Sequence, residues 1–215
     1  MGVFTRAIEY VNMGDHRAEL IAAIERHLLL VGIALGIGIL VCVPLGTITA
    51  RSRLASATVI NGFNALRVIP SLAILFLALP YFGLSLKSAV LALTILALPP
   101  ILINTDAAFR NIDPAIREAA YGMGMARREV LRRVEFPLAA PVIIAGIRTA
   151  AVEVIASATL AAFIGGGGLG IYITRGFSLY DNAILLVGAV PVALLALIAE
   201  IGMSGLQRAL QPPTH

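Results

Sequence analysis

The chain has 215 residues, of which 59% are hydrophobic and only 13% are charged, with a formal net charge of +4. Soluble domains carry about 25% charged residues, so this composition excludes an ordinary small soluble domain and favours a membrane protein. The single cysteine, Cys42, excludes a disulfide framework or a cysteine-based metal site within the chain.

Residues 15–27 form the first patterned segment. Leu20, Ile21 and Ile24 lie on one face of a helix together with Leu28. This pattern predicts an amphipathic N-terminal helix within residues 1–27 that lies at the membrane interface, in contact with lipid.

Five apolar segments then follow, each long enough for the roughly 20 residues that a helix needs to cross a bilayer. They cover residues 28–50, 56–80, 88–108, 138–164 and 182–206. The predicted fold class is therefore an all-α polytopic membrane protein, with a single transmembrane domain over residues 1–215 whose five-span core is residues 28–206. Prolines inside the segments, such as Pro70, Pro99 and Pro100, predict kinks rather than breaks.

The loop between the third and fourth segments, residues 109–137, is rich in arginine. Basic loops face the cytoplasm, so this loop is expected inside, with the N-terminus outside and the C-terminus inside. Because the basic residues cluster in such loops, they are better explained by membrane orientation than by binding to nucleic acid. The arginines are Arg110, Arg117, Arg127, Arg128, Arg132 and Arg133.

Two short helices are predicted in this loop. Asp113 followed by Pro114 is typical of a helix start, so the first helix covers residues 115–120. Gly122 and Gly124 permit a turn, and a second helix over residues 126–135 ends before Pro137. By composition alone, the loop could also be a solvated basic segment that only sets orientation.

The spacing in this loop resembles a family signature. Glu118-Ala119-Ala120, three residues, Gly124, nine residues, Val134, one residue and Phe136-Pro137 are similar to the EAA loop of permease subunits in ATP-driven (ABC) importers. We call residues 109–137 the EAA loop. The resemblance implies a type I ABC importer permease fold, with a coupling helix that docks on a cytoplasmic ATPase. The implied ATPase-coupling residues are Arg117, Glu118, Ala119, Ala120, Gly122, Gly124 and Arg127.

Three further segments, residues 69–73, 135–148 and 159–170, resemble the osmoprotectant permeases, which import glycine betaine, choline or carnitine. Methionine-type permeases share the five-span plan and remain the alternative. The family implies an ATPase dimer, a second permease subunit and an extracytoplasmic substrate-binding protein as partners. It also implies that ATP and Mg are bound by the ATPase, so no cofactor is expected in this chain.

Residues 165–168 are four glycines, but a phosphate-binding Walker A loop also needs a lysine directly after its last glycine. The only lysine is Lys87, in another loop. We therefore expect no ATPase activity and interpret residues 165–170 as a tight outer turn. Neither a catalytic nor a metal site is predicted, because the histidines are scattered, which also disfavours a membrane-embedded enzyme.

Ionisable groups within the spans are the remaining candidates, since a charge at the bilayer centre costs about 2.5–3.5 kcal/mol even on the lenient insertion scale. Glu153 lies one helical turn before Ser157, and Arg67 precedes Ser71 in the second span. These four are the candidate translocation-pathway residues. The alternative is a structural ion pair of Glu153 with Arg67 or Arg148. A secondary transporter would need several membrane acids, whereas Glu153 is the only one near mid-span; Asp106 is expected at the interface.

Overall fold

The structure, a computed structural model, describes residues 2–211, and this part of the chain contains helices and no strand. A π turn, Leu131–Glu135, joins α7 to α8, and a 3₁₀ helix, Leu160–Ile164, follows α8. The α-helices are α1 (Val3–Asn12), α2 (His16–Thr49), α3 (Arg53–Val68), α4 (Ser71–Phe82), α5 (Leu86–Arg110), α6 (Pro114–Gly122), α7 (Arg127–Val130), α8 (Phe136–Ser157), α9 (Gly170–Ser178) and α10 (Asn182–Ala209).

Four continuous helical stretches in residues 2–211 are long and apolar enough to cross a membrane: α2, α5, Arg127–Ser157 and α10. The helices α3 and α4 together form a fifth apolar stretch, bent by 94° at their junction. Counting this pair as one span gives the predicted five, and the all-α membrane fold class is confirmed.

The second span is broken rather than kinked, so the prediction of a simple proline kink is wrong there. Ile69 has an extended backbone (φ −74°, ψ 123°), because a following proline disfavours the helical conformation of the residue before it. Pro99 and Pro100, by contrast, lie inside the continuous helix α5 and are buried. The helix α5 packs against both α2 and α8.

Two boundaries differ from the sequence prediction. Residues 15–27 are not a separate helix: from His16 they form the first turns of α2, since residues 16–31 contain neither glycine nor proline to stop it. A separate amphipathic helix, α1, precedes them and packs against α10. The fourth span ends at Ser157 instead of residue 164, and the tighter 3₁₀ helix continues from Leu160.

The second helix of the EAA loop was predicted to end before Pro137. In the structure it continues through the π turn directly into α8. Pro137 directly follows the π turn, and a local π adjustment is one way in which a membrane helix accommodates the missing N–H group of a proline without a break. The EAA loop is therefore joined rigidly to the fourth span.

Candidate functional site

The first helix of the EAA loop, α6, has defined ends. The carboxylate of Asp113 accepts a hydrogen bond from the N–H of Ala115 at 2.9 Å, which confirms the predicted helix start. At the other end, Gly124 has φ +82°, and the N–H of Met125 bonds to the carbonyl of Ala120 at 3.2 Å. This is the glycine-terminated helix end in which a left-handed residue closes the last turn. The helix runs two residues further than predicted, to Gly122.

Beneath α6, Glu135 forms an ion-pair centre with two arginines. Arg117 on α6 donates from Nε to Oε1 at 2.6 Å, and Arg51 donates from Nη1 to Oε1 at 2.9 Å and from Nη2 to Oε2. The Glu135 side chain is 1% exposed. The hydrogen bonds to Glu135 raise the pKa of the Arg51 guanidinium. One carboxylate thus joins α6, the base of the fourth span and the α2–α3 turn.

A second buried carboxylate, Asp106, lies at the same end of the molecule. It accepts hydrogen bonds from Thr49 at 2.9 Å and Ser56 at 2.8 Å. Arg110, one turn along α5, forms an ion pair with it at 3.0 Å. Asp106 is 1% exposed, so it is buried within the protein. Its bonds join α2, α3 and α5, which a solvated carboxylate would not do.

The predicted coupling residues divide into two sets. Glu118, Ala119, Gly122, Gly124 and Arg127 are exposed, as a docking surface requires. Ala120 is 2% exposed and faces the protein, and the Arg117 guanidinium is directed inward, to Glu135 and the carbonyl of Phe109. Ala120 therefore lies beneath the surface of α6, and the Arg117 guanidinium is bound within the protein.

Sequence reasoning missed several residues of this region. Glu135 and Arg51 are 84 positions apart, so no local pattern pairs them. The available signal was that Glu135 is an acid directly before an apolar span, where an unpaired charge is costly. Exposed apolar side chains on the loop were also missed: Ile116, Tyr121 and Met123.

The four candidate pathway residues surround one cavity of about 200 Å³ at the α3–α4 break. Arg67 and Ser71 flank the break, and Glu153 and Ser157 lie on α8. The expected pair of Glu153 with Arg148 is absent, because Arg148 lies 3.5 Å from Glu200 instead. In residues 2–211, neither Arg67 nor Glu153 forms an ion pair. The remaining lining is Leu66, Ile69, Pro70, Ile95, Leu96 and Pro99.

The glycine-rich turn lies at the opposite end of the spans from the EAA loop. Gly165, Gly167 and Gly168 have φ of +77°, +78° and +78°, a conformation that other residues rarely adopt. At Gly170, an added Cβ would lie 1.9 Å from the carbonyl oxygen of Thr159. Arg26 on α2 donates to the Gly166 carbonyl at 3.2 Å. The close backbone approach explains why this turn is made of glycine.

The sequence is similar to those of known membrane transport proteins. Residues 42–212 match the family described as binding-protein-dependent transport system inner membrane component. The choline transport system permease protein OpuBB of Bacillus subtilis (strain 168) is 42% identical, covering 90% of this chain and 89% of that protein. The carnitine transport permease protein OpuCB of Listeria monocytogenes is 43% identical, with coverage of 87% and 86%. The osmoprotectant import permease protein OsmW of Salmonella typhimurium is 38% identical, with coverage of 93% and 95%.

Comparison by structure gives the same fold. An inward-facing conformation of the MetNI methionine ABC transporter matches with a TM-score of 0.80 and 22% identity, covering 90% of this chain and 96% of that chain. At this identity the match concerns the fold alone. The resemblance seen in the sequence is confirmed, and the methionine alternative has only this distant structural match. The chain therefore belongs to the family of inner-membrane components of binding-protein-dependent transport systems, as a permease subunit of an ABC importer.

Proposed function

We propose that this permease imports small quaternary-ammonium osmoprotectants of the choline, glycine betaine and carnitine type. The observation that supports this most directly is 41–43% identity over most of the chain to permeases whose names specify choline, carnitine or glycine betaine. Methionine import is the second candidate and rests on a fold that different substrates share.

The proposed assembly contains two permease subunits, an ATPase dimer that binds ATP and Mg, and an extracytoplasmic substrate-binding protein. Five spans make a thin wall for a solute path, and a symmetric pair of permeases completes it. The EAA loop faces the cytoplasm by its excess of arginine, with the N-terminus outside and the C-terminus inside. Hydrolysis takes place in the partner, because this chain has no lysine with the Walker A spacing.

The helix α6 is the proposed contact with the ATPase. Glu118 and Ala119 are exposed on it, and exposed apolar side chains such as Tyr121 and Met123 offer surface that a partner can bury. The two closed ends of α6 and the Arg117–Glu135 ion pair keep the helix fixed to the fourth span. Movement of the ATPase would therefore displace the span together with the loop.

The cavity at the α3–α4 break is the proposed part of the solute pathway. Arg67, Ser71, Glu153 and Ser157 line it together, and ionisable residues inside a membrane protein commonly mark substrate routes. The alternative, a structural ion pair of Glu153 with Arg148, is disfavoured because Arg148 lies 3.5 Å from Glu200.

The test is solute uptake into proteoliposomes that contain this chain together with its partner ATPase and substrate-binding protein. We expect uptake of labelled choline, glycine betaine or carnitine that requires ATP and is inhibited by vanadate. Uptake driven by an ion gradient without ATP would contradict an ABC mechanism. ATP-driven uptake of methionine in place of these solutes would contradict the proposed substrate and support the second candidate.

A further inference from the structure

The cavity at the α3–α4 break contains one cationic and one anionic side chain, and neither is paired within residues 2–211. Arg67 is three residues before Pro70, and Glu153 lies on the facing helix α8. An ionised group within a membrane is disfavoured unless a partner or water compensates it. A small molecule with one negative and one positive group would compensate both side chains at once.

We propose that this cavity is a transit site for a compact zwitterion that carries a carboxylate and a quaternary ammonium group. This inference rests on the proposed function and narrows its substrate class. Arg67 binds the carboxylate, because the planar guanidinium matches carboxylate geometry with two parallel hydrogen bonds. Glu153 attracts the quaternary ammonium by charge, since that group has no N–H to donate.

The other walls suit the same kind of molecule. Ser71 begins α4, which has no side-chain cap; the N–H of Ala73 bonds to the Pro70 carbonyl, which leaves the N–H groups of Ser71 and Leu72 for an anion near Arg67. Leu66, Ile95 and Pro99 offer apolar surface for the methyl groups. A volume of about 200 Å³ lies below the roughly 300–1,000 Å³ of pockets for drug-sized ligands. The site therefore fits a compact solute.

Binding at this site is expected to be weak. Among the residues that line it, there is no aromatic ring, so the cation–π contacts that give tight binding of quaternary ammonium groups are missing. A conducting site must hold its solute loosely enough to release it. High-affinity recognition then belongs to the substrate-binding protein, and the cavity selects by charge during passage.

The inference is tested by comparing glycine betaine, which has a carboxylate, with choline, which does not. Initial uptake rates are measured in proteoliposomes of the complete complex at saturating binding protein, for wild type, Arg67→Gln, Arg67→Lys and Glu153→Gln. Arg175→Gln is the matched control, because Arg175 is exposed on α9, outside the cavity. Recovery of each complex by size-exclusion chromatography reports assembly.

We expect Arg67→Gln to lower glycine betaine uptake about tenfold, the lower range for one charged hydrogen-bonding partner, and to leave choline uptake unchanged. Glu153→Gln should lower uptake of both solutes, because both carry the quaternary ammonium. If the Arg67→Gln complex does not assemble, the Arg67→Lys complex provides the test. It should lower glycine betaine uptake by a smaller factor and leave choline uptake unchanged.

Equal effects of the Arg67 variants on both solutes, or no effect on either, would overturn the zwitterion site. So would a wild-type complex that imports choline but not glycine betaine, although the proposed function would then survive. Failure of the wild type to import any quaternary-ammonium solute with ATP would instead refute the proposed function itself.

Discussion

The molecule contains two groups of charges within its helical bundle, and they are organised in opposite ways. Near the EAA loop, Glu135 and Asp106 are each 1% exposed, and both form ion pairs with arginines. At the α3–α4 break, Arg67 and Glu153 share a cavity without an ion pair in the part of the chain described.

The contrast indicates two different roles for costly charges. A fully paired carboxylate fixes the elements that supply its partners, so the Glu135 cluster makes α6, the fourth span and the α2–α3 turn one mechanical unit. Two opposite charges that form no ion pair with each other do not hold helices together, and both remain available to a solute. Substitutions in the first group should therefore affect stability, and those in the second should affect transport.

The largest effect is expected for Glu135→Gln. The change leaves Arg51 and Arg117 without their carboxylate, and loss of one partner of a buried ion pair costs about 3–5 kcal/mol. We expect about 3 kcal/mol, the lower end, because both arginines remain partly accessible to water. The measurement is equilibrium unfolding of the detergent-solubilised chain.

Glu118→Gln is the matched control, because Glu118 is exposed on the same loop. This substitution should leave the free energy of unfolding unchanged. Glu153→Gln should not lower it, because Glu153 has no ion-pair partner in residues 2–211 to lose. If Glu153→Gln were as destabilising as Glu135→Gln, the distinction between paired and unpaired charges would be wrong.

Asp106→Asn should have the next largest effect, a loss of about 1.5–3 kcal/mol, as for hydrogen bonds to charged groups. The amide can still accept from Thr49 or Ser56, which limits the loss, but it no longer compensates Arg110. Unfolding is measured as for Glu135. If Asp106→Asn lowers the free energy of unfolding no more than Glu118→Gln does, Asp106 does not hold α2, α3 and α5 together.

Ala119→Leu tests the surface of the same unit without touching its ion pairs. A larger side chain at a close-packed contact costs about 1–3 kcal/mol, so binding of the ATPase should weaken at least several-fold while unfolding is unchanged. The measurement is retention of the ATPase subunit during purification and in a titration. Ala18→Leu, exposed at the start of α2, is the control. Unchanged ATPase binding by Ala119→Leu would argue against docking through α6.

Features set by local chemistry were predictable from the sequence. The apolar spans follow from composition, the start of α6 from Asp113 and Pro114, and the tight turn at residues 165–170 from its glycines. The candidate pathway residues were also selected locally, as charges and hydroxyls in apolar segments, and the structure places them around one cavity.

Features set by packing were not predictable in this way. Pro70 and Pro99 carry the same local signal, yet the helix breaks only at Pro70. The difference is that Ile69 is 37% exposed, whereas Pro99 is buried in α5 between neighbouring helices that hold it in place. The Arg51–Glu135 pair likewise depends on the fold that brings the α2–α3 turn next to the π turn.

The smallest effect is expected for Arg51→Lys, which tests whether the charge of Arg51 or its hydrogen-bonding geometry stabilises the Glu135 cluster. Arg51 donates two hydrogen bonds to Glu135, and a lysine keeps the charge but not the planar fork. The loss should be close to one hydrogen bond, about 0.5–1.5 kcal/mol. Equilibrium unfolding measures it beside Arg53→Lys, an exposed arginine at the start of α3. If Arg51→Lys lowers the free energy of unfolding no more than Arg53→Lys does, the charge alone stabilises the cluster. If it lowers that free energy as much as Glu135→Gln does, Arg51 rather than Arg117 provides most of the bonding that joins the loop to the spans.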